Sequence, residues 1–187
     1  MPSPVPLREE VARTMNETLN TLLTRRSVRS FKPQQIGDEE LNAVLKAGMC
    51  APSAANRQSA LFIVVQNKEA RDVISRMNQA ILGTDSDPYY GAPTVVLVLA
   101  DKTKGHPVED GSLALGNMFI AARSLGLGSC WVHRTQQMFE SEEGKALLRK
   151  WGVEGDYVGV GSCALGYPEG EYPEAAPRKA NFVVMVK

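Results

Sequence analysis

Apolar residues recur every three or four positions along residues 9–24, where Val11, Met15, Leu19, Leu22 and Leu23 share one face of a predicted helix. A second helix is predicted over IGDEELNAVLKAGM, residues 36–49. Gly37 or Asp38 would cap it, acidic residues fill its first turn, and Leu41, Val44 and Leu45 form its stripe. The small and polar run APSAANRQSA (51–60) breaks the period and reads as a loop. LFIVVQ (61–66) reads as a strand, KEARDVISRMNQAIL (68–82) as a helix, and GTDSDPYYGAP (83–93) as a turn-rich connection. TVVLVLAD (94–101) is apolar without alternation, as a strand covered on both faces is. EDGSLALGNMFIAARSLG (109–126) is helical but apolar on more than one stripe, which places it centrally or in an interface. SCWV (129–132), the glycine-rich DYVGVGSCALGYP (156–168) and FVVMV (182–186) read as strands, and SEEGKALLRKWG (141–152) as a helix.

Together these elements predict an α+β fold with one mixed sheet and many helices. No repeat or linker divides the chain, so residues 1–187 form a single predicted domain. Its first eight or so residues and residues 170–187 are extended arms. The last predicted strand follows a polar, proline-rich approach. It either adds to the sheet of a second copy or lies at the edge of its own.

Charge changes the picture in one respect. Lysine and arginine total 21, aspartate and glutamate also 21. Nucleic acid or an anionic membrane would call for a basic excess, so any anion site must be local. The N-terminus lacks the apolar core of a signal peptide, and the longest apolar run is too short to span a bilayer. A cytoplasmic protein is expected, with Cys50, Cys130 and Cys163 as buried thiols in a reducing compartment. Two histidines make a metal site unexpected.

Five local clusters could carry chemistry. TRRSVRSF (24–31) offers Arg25, Arg26 and Arg29 with the hydroxyls of Ser27 and Ser30. It suits a phosphate, or is a solvated helix end. APSAANRQ (51–58) would let backbone approach a flat ligand, or is an ordinary polar loop. VGVGSCALGYPEG places Gly159, Gly161 and Gly166 in a strand, where glycine marks a bulge or a close approach; no dinucleotide fingerprint is present. PRK (177–179) is a second cationic spot. In CWVHR, Trp131 packs on a cofactor ring or in the core, and His133 has no carboxylate partner to name.

In their order along the chain, RRSVRSF, APSAANRQ, SLALGNMFIAARSLGLGSCWV, ALGYP and the late PRK resemble the FMN-dependent nitroreductase family, over about residues 20–180. The resemblance implies a three-layer fold, with a mostly antiparallel sheet flanked by helices and a C-terminal strand extending to a dimer partner. It implies a homodimer with two FMN molecules at the interface. Hydride would pass from NADH or NADPH through flavin N5 to a nitroaromatic, quinone or similar acceptor in a ping-pong cycle, with no protein acid or base. Arg25, Arg26, Ser27 and Arg29 would hold the flavin phosphate and ribityl chain, joined at the phosphate by Arg178 and Lys179. Pro52, Ser53, Ala54, Asn56 and Gln58 would reach the flavin from the partner subunit. Gly161, Ser162, Leu165 and Gly166, with the backbone of Cys163, would flank the ring. Asn78 or Gln79 would meet the pyrimidine edge, and Arg26 or Arg29 the N1–C2 edge. The chain departs from the family in carrying Ser59 where proline often follows the glutamine, and in being short, which leaves residues 80–92 as the lid. A flavin carrier or sensor without turnover is the alternative, and a non-flavin phosphate binder a third reading.

Overall fold

The computed structural model describes residues 15–186. In chain order the elements are α1 (Glu17–Thr24), α2 (Asp38–Met49), β1 (Ala60–Val65), α3 (Lys68–Leu82), β2 (Thr94–Asp101), α4 (Pro107–Ser124), β3 (Gly128–Val132), α5 (Thr135–Glu140), α6 (Glu142–Lys150) and β4 (Tyr157–Gly166). Short 3₁₀ turns lie at Ala54–Asn56 and Lys102–Lys104. The sheet runs β1-β2-β4-β3, and each of its three pairings is antiparallel. The one parallel pairing among the described residues is an isolated bridge, Ser27 to Ser129.

β2 explains the layering. It is central, and its alternate residues feed opposite faces of the sheet. Val95, Leu97 and Leu99 join Ile74, Met77, Tyr89 and Phe139 under α3 and α5. Val96, Val98 and Ala100 join Val44, Leu115 and Met118 under α2 and α4. A strand buried on both sides has no reason to alternate, and its sequence does not. Each such valine or leucine contributes about 1.5–3 kcal/mol by leaving water.

Helix ends follow local chemistry. Asn16 caps α1 by accepting from the Leu19 N–H at 2.9 Å. The Glu40 carboxylate accepts from the Gly37 N–H at the start of α2. Asn67 accepts from the Ala70 N–H to start α3, and Gly83 ends it in the left-handed conformation. The part of the N-terminal helix read over residues 9–14 lies outside the described residues. α5 has only six residues, too few to show a period, and is absent from the sequence reading.

α4 divides its apolar residues between two faces. Ala114, Leu115, Met118 and Ala122 are buried, whereas Leu113 is 48% exposed and Val108 and Leu125 are open as well. Cys130 and Cys163 are buried thiols, but Cys50 is exposed, because it follows α2 on the open rim rather than in the core.

Past β4 the chain is tied down as far as Tyr172. The Tyr167 hydroxyl donates to Glu40, the Glu169 N–H donates to the Ser30 carbonyl, and the Tyr172 hydroxyl donates to the Leu127 carbonyl. Residues 173–186 form no strand. The expected strand over 182–186 therefore has no ladder in its own chain. Val184 is 81% exposed and Val186 93%. Among the described residues no helix is long and apolar enough to cross a membrane.

Candidate functional site

After α1 the backbone becomes extended, and the Val28 N–H donates to the Ser129 carbonyl at 3.0 Å, docking this stretch on the outer edge of β3. In extended backbone, successive side chains point to opposite sides. Val28 is buried, so Arg26 shares its inward side while Arg25, Ser27 and Arg29 share the outward one. Arg26 is accordingly turned back. Its Nη1 donates to the Leu23 and Arg25 carbonyls at 2.8 and 2.7 Å, satisfying the end of α1, and its Nε is buried without a partner. The expectation that Arg26 faces a ligand therefore meets a helix-capping arginine.

Arg25 and Ser27 line a cavity of about 310 Å³ with Phe119 and Ile120 of α4 and Trp131 of β3. The Arg29 guanidinium lies 5.9 Å from the centre of the Tyr90 ring. The Cys130 thiol sits beneath the three. Burial raises its pKa, opposed by the charges of Arg29 and Arg25 and by a contact with Ser27. Trp131 is 51% exposed and not a core residue. It also lines a second cavity of about 280 Å³, with Asn78, Tyr90, His133 and Arg134. The outer wall of this cavity comes from Leu82, Thr84, Ser86 and Pro88, within the stretch expected to form the lid.

Asn78 is fully buried. Its Nδ2 donates to the His133 carbonyl at 3.0 Å, and its Oδ1 has no partner. Gln79 turns away to the Asp85 carbonyl. Of the two expected ring contacts, then, only Asn78 borders the cavity, and it acts on the backbone of the β3–α5 turn.

The loop 51–58 forms a third cavity of about 390 Å³, lined by Pro52, Ser53, Gln58, Phe62 and Met49, which shares no lining residue with the first two. Ala55, Asn56 and Gln58 all have positive φ, at 51°, 54° and 50°. Non-glycine residues in this region cost on the order of 1–3 kcal/mol each and persist where their surroundings over-determine them. Asp110 of α4 does much of that. Its carboxylate accepts from the Ala54 N–H at 2.9 Å and from the Ser59 hydroxyl at 2.7 Å, and the residue is 4% exposed. The Ser53 hydroxyl accepts from the Gln58 N–H. Ser59, a departure from the family pattern, thus has a structural use.

The Ala54 N–H, then Ser59, hold the Asp110 carboxyl below the usual carboxylate range. With the folded pKa below the unfolded one, the stabilisation is whole above about pH 4 and is lost as pH falls through the folded value. Asp110→Asn is expected to cost about 1.5–3 kcal/mol at neutral pH, the usual worth of hydrogen bonds to a charged group. Thermal melts from pH 7 to pH 3 should show the variant less stable at neutrality and the two proteins converging in acid.

Gly161, Ser162, Leu165 and Gly166 lie buried within β4. Added side-chain atoms at Gly161 would meet the Trp131 indole, and at Gly166 Pro93 and Phe31. The Ser162 hydroxyl lies 2.8 Å from that of Thr135. These glycines serve close packing by the protein itself, one row behind Trp131. Arg178 and Lys179 are exposed in the tail, with the Lys179 Nζ 5.0 Å from the Phe182 ring. Asp110 was missed by the sequence reading, because an acid in a first helical turn looks ordinary; Arg134 was named only as part of CWVHR, because a left-handed arginine has no signature. Arg26 could have been found, since Val28 two residues on marks its face.

The Nitroreductase family model matches residues 22–88 and 83–167. The chain belongs to the Nitroreductase family. A relative from Archaeoglobus fulgidus, provisionally named NADH dehydrogenase/NAD(P)H nitroreductase, is 37% identical over 163 residues, 84% of this chain and 88% of its own length. A nitroreductase from Bacteroides fragilis, solved with bound FMN, superposes with a TM-score of 0.85 at 32% identity, covering 92% of this chain and all of that one. The FMN-bound nitroreductase of Desulfitobacterium hafniense gives 0.81 at 29%, covering 91% and 99%. The α+β arrangement here is thus the nitroreductase fold. All three cavities lie within the matched span, whereas the nitroreductase tail beyond residue 167 lies outside it.

Proposed function

We propose that the chain is an FMN-dependent oxidoreductase that takes hydride from NADH or NADPH and passes it to a nitroaromatic, quinone or similar acceptor in two half-reactions. The observation that carries this reading is the outward row Arg25, Ser27 and Arg29, docked against the edge of β3 beside a half-exposed tryptophan. Arg25 and Arg29 make no ion pair among the described residues, so their charge is available to a phosphate of about two negative charges. The cavity beside Arg25 and Ser27, walled by Phe119, Ile120 and Trp131, provides room for the phosphate-bearing chain.

Bound FMN supplies the ring that carries reducing equivalents between donor and acceptor. The protein's part is to bind, orient and exclude water. Arg25 and Arg29 neutralise the phosphate and Ser27 donates to it. Trp131 offers an aromatic face, and Asn78 fixes the turn at His133 and Arg134. No side chain needs to move a proton, which agrees with a site holding a single histidine.

The loop 51–58 lines a separate cavity, so we place it against the flavin of a second copy. A homodimer would cover the open face of α4 and the exposed Leu22 and Leu23 of α1. The tail would then run onto its partner as a strand beside β1, an edge strand whose residues Ala60–Val64 are only half-buried. Arg178 and Lys179 would travel with it towards the phosphate. The chain would act as one domain in the cytoplasm, where its three unpaired cysteines stay reduced.

Purified protein should be yellow, or become so on FMN titration, and should bleach anaerobically with NADH or NADPH. A colourless protein that takes up no FMN would overturn the reading. A yellow protein that neither nucleotide bleaches would make it a flavin carrier instead.

A further inference from the structure

Arg134 joins β3 to α5 with φ 80° and ψ 1°, in the left-handed region that side chains rarely adopt. Where only a turn is needed, glycine or asparagine takes this place. Here the surroundings hold an arginine in it. Asn78 fixes the His133 carbonyl before it, and the Met138 N–H donates to the carbonyl of Arg134 itself at 3.0 Å. Thr135 is pinned by its hydroxyl to Ser162, and its backbone packs where a side chain on Gly159 would stand. A strained position kept by four separate contacts points to a use for the side chain.

That side chain is a cation without a counter-charge. Among the described residues Arg134 makes no ion pair, and its Nε is buried with no hydrogen-bond partner. The one carboxylate lining the same cavity, Asp87, is already occupied. It pairs with Arg71 and accepts from the Ser75 hydroxyl at 2.8 Å and from the N–H groups of Tyr89 and Gly91 at 3.1 and 2.7 Å. Burial alone would raise its pKa, but Arg71 and these donors hold it low. Around Arg134 the cavity is walled by Trp131, Tyr90, Leu82 and Pro88, and its volume of about 280 Å³ suits a single-ring molecule.

We infer that Arg134 is a specificity residue that binds the carboxylate of a small aromatic acceptor, so that the enzyme prefers acidic acceptors to neutral ones of the same shape. The inference rests on the flavoenzyme reading above. A guanidinium presents a planar fork that a carboxylate meets with two parallel hydrogen bonds, and the aromatic walls take the attached ring. His133, exposed beside Trp131 with ring centres 5.3 Å apart, completes the rim.

The test uses the FMN-loaded protein. Dissociation constants for benzoate and benzamide are read from the perturbation of the bound flavin's absorbance, and kcat/KM is measured for 4-nitrobenzoate and 4-nitrobenzamide. Wild type should favour the acid of each pair. Arg134→Gln should lower the acid-to-amide ratio by about tenfold to a hundredfold, as loss of a charge-assisted hydrogen bond does. Arg134→Lys should restore part of it. Arg134→Gly relieves the backbone while removing the charge, and should match the glutamine variant; it serves alone if that variant does not fold. An unchanged ratio in the charge-free variants overturns the inference, as does a ratio of one in wild type. So does a change confined to the relative bleaching rates of NADPH and NADH, which would make Arg134 a nucleotide-phosphate contact. Failure of wild type to take up FMN would instead overturn the flavoenzyme reading.

Discussion

Arg25→Ala with Arg29→Ala is expected to lower FMN affinity by about 10²–10⁴-fold while leaving the fold intact. Each hydrogen bond from a charged donor contributes about 1.5–3 kcal/mol, and every 1.4 kcal/mol is tenfold in affinity. Neither arginine supports the fold through an ion pair among the described residues, so melting temperature should move little. The two sit on one face four residues apart and would share one phosphate, so their effects should not add. Arg26→Ala makes the contrast. That arginine satisfies the carbonyls of Leu23 and Arg25 at the end of α1, so its loss should lower stability more than FMN affinity. Titration with FMN, followed by quenching of its fluorescence, separates the double variant, Arg26→Ala and the single Arg25→Ala. Equal loss of affinity from Arg26→Ala and Arg25→Ala would contradict the assignment of faces. The wild-type constant should also weaken as salt is added, because part of the attraction is between charges reachable by solvent.

The contrast between Arg25 and Arg26 shows how far a sequence can be read. β2 and α3 were legible to their ends, because six apolar residues in a row, Val95 to Ala100, and a capped periodic stretch each have one good solution. The arginine cluster was legible as a concentration of positive charge, but its division into outward Arg25 and Arg29 and inward Arg26 depends on backbone becoming extended at Arg25 and pairing with Ser129. The glycines of β4 announced a close approach, and within the chain what approaches is Trp131 at Gly161 and the backbone of Thr135 at Gly159. A missing side chain records that space is taken, and gives no sign of what takes it. Asp110 stayed hidden, and Arg134 was noticed in CWVHR without a role, for a related reason. Their roles lie in contacts with loops distant in sequence, Ala54 and Ser59 for one and the Asn78-fixed turn for the other.

Removing residues 173–187 is expected to yield a chain that folds but stays monomeric and binds FMN at least a hundredfold more weakly. Residues 182–186 are five apolar side chains in succession, all exposed and without a ladder in this chain. Burying a valine or phenylalanine contributes about 1.5–3 kcal/mol, and ordering each residue costs about 1–2 kcal/mol, so one docked tail nets a few kcal/mol. A two-fold dimer docks two tails, which doubles the effect on association. The cut also removes Arg178 and Lys179, so a second variant isolates the strand itself. Val184→Asp keeps both cations but places a charge within the apolar run. Val184 is open to water in the single chain, so the substitution has nothing to disrupt there, and any loss of dimer must come from contacts between copies. Light scattering after gel filtration, with FMN titration of the same fractions, reads both outcomes. A truncated chain that remains a dimer would show that the open face of α4 suffices for assembly, leaving the tail only its two cations to contribute.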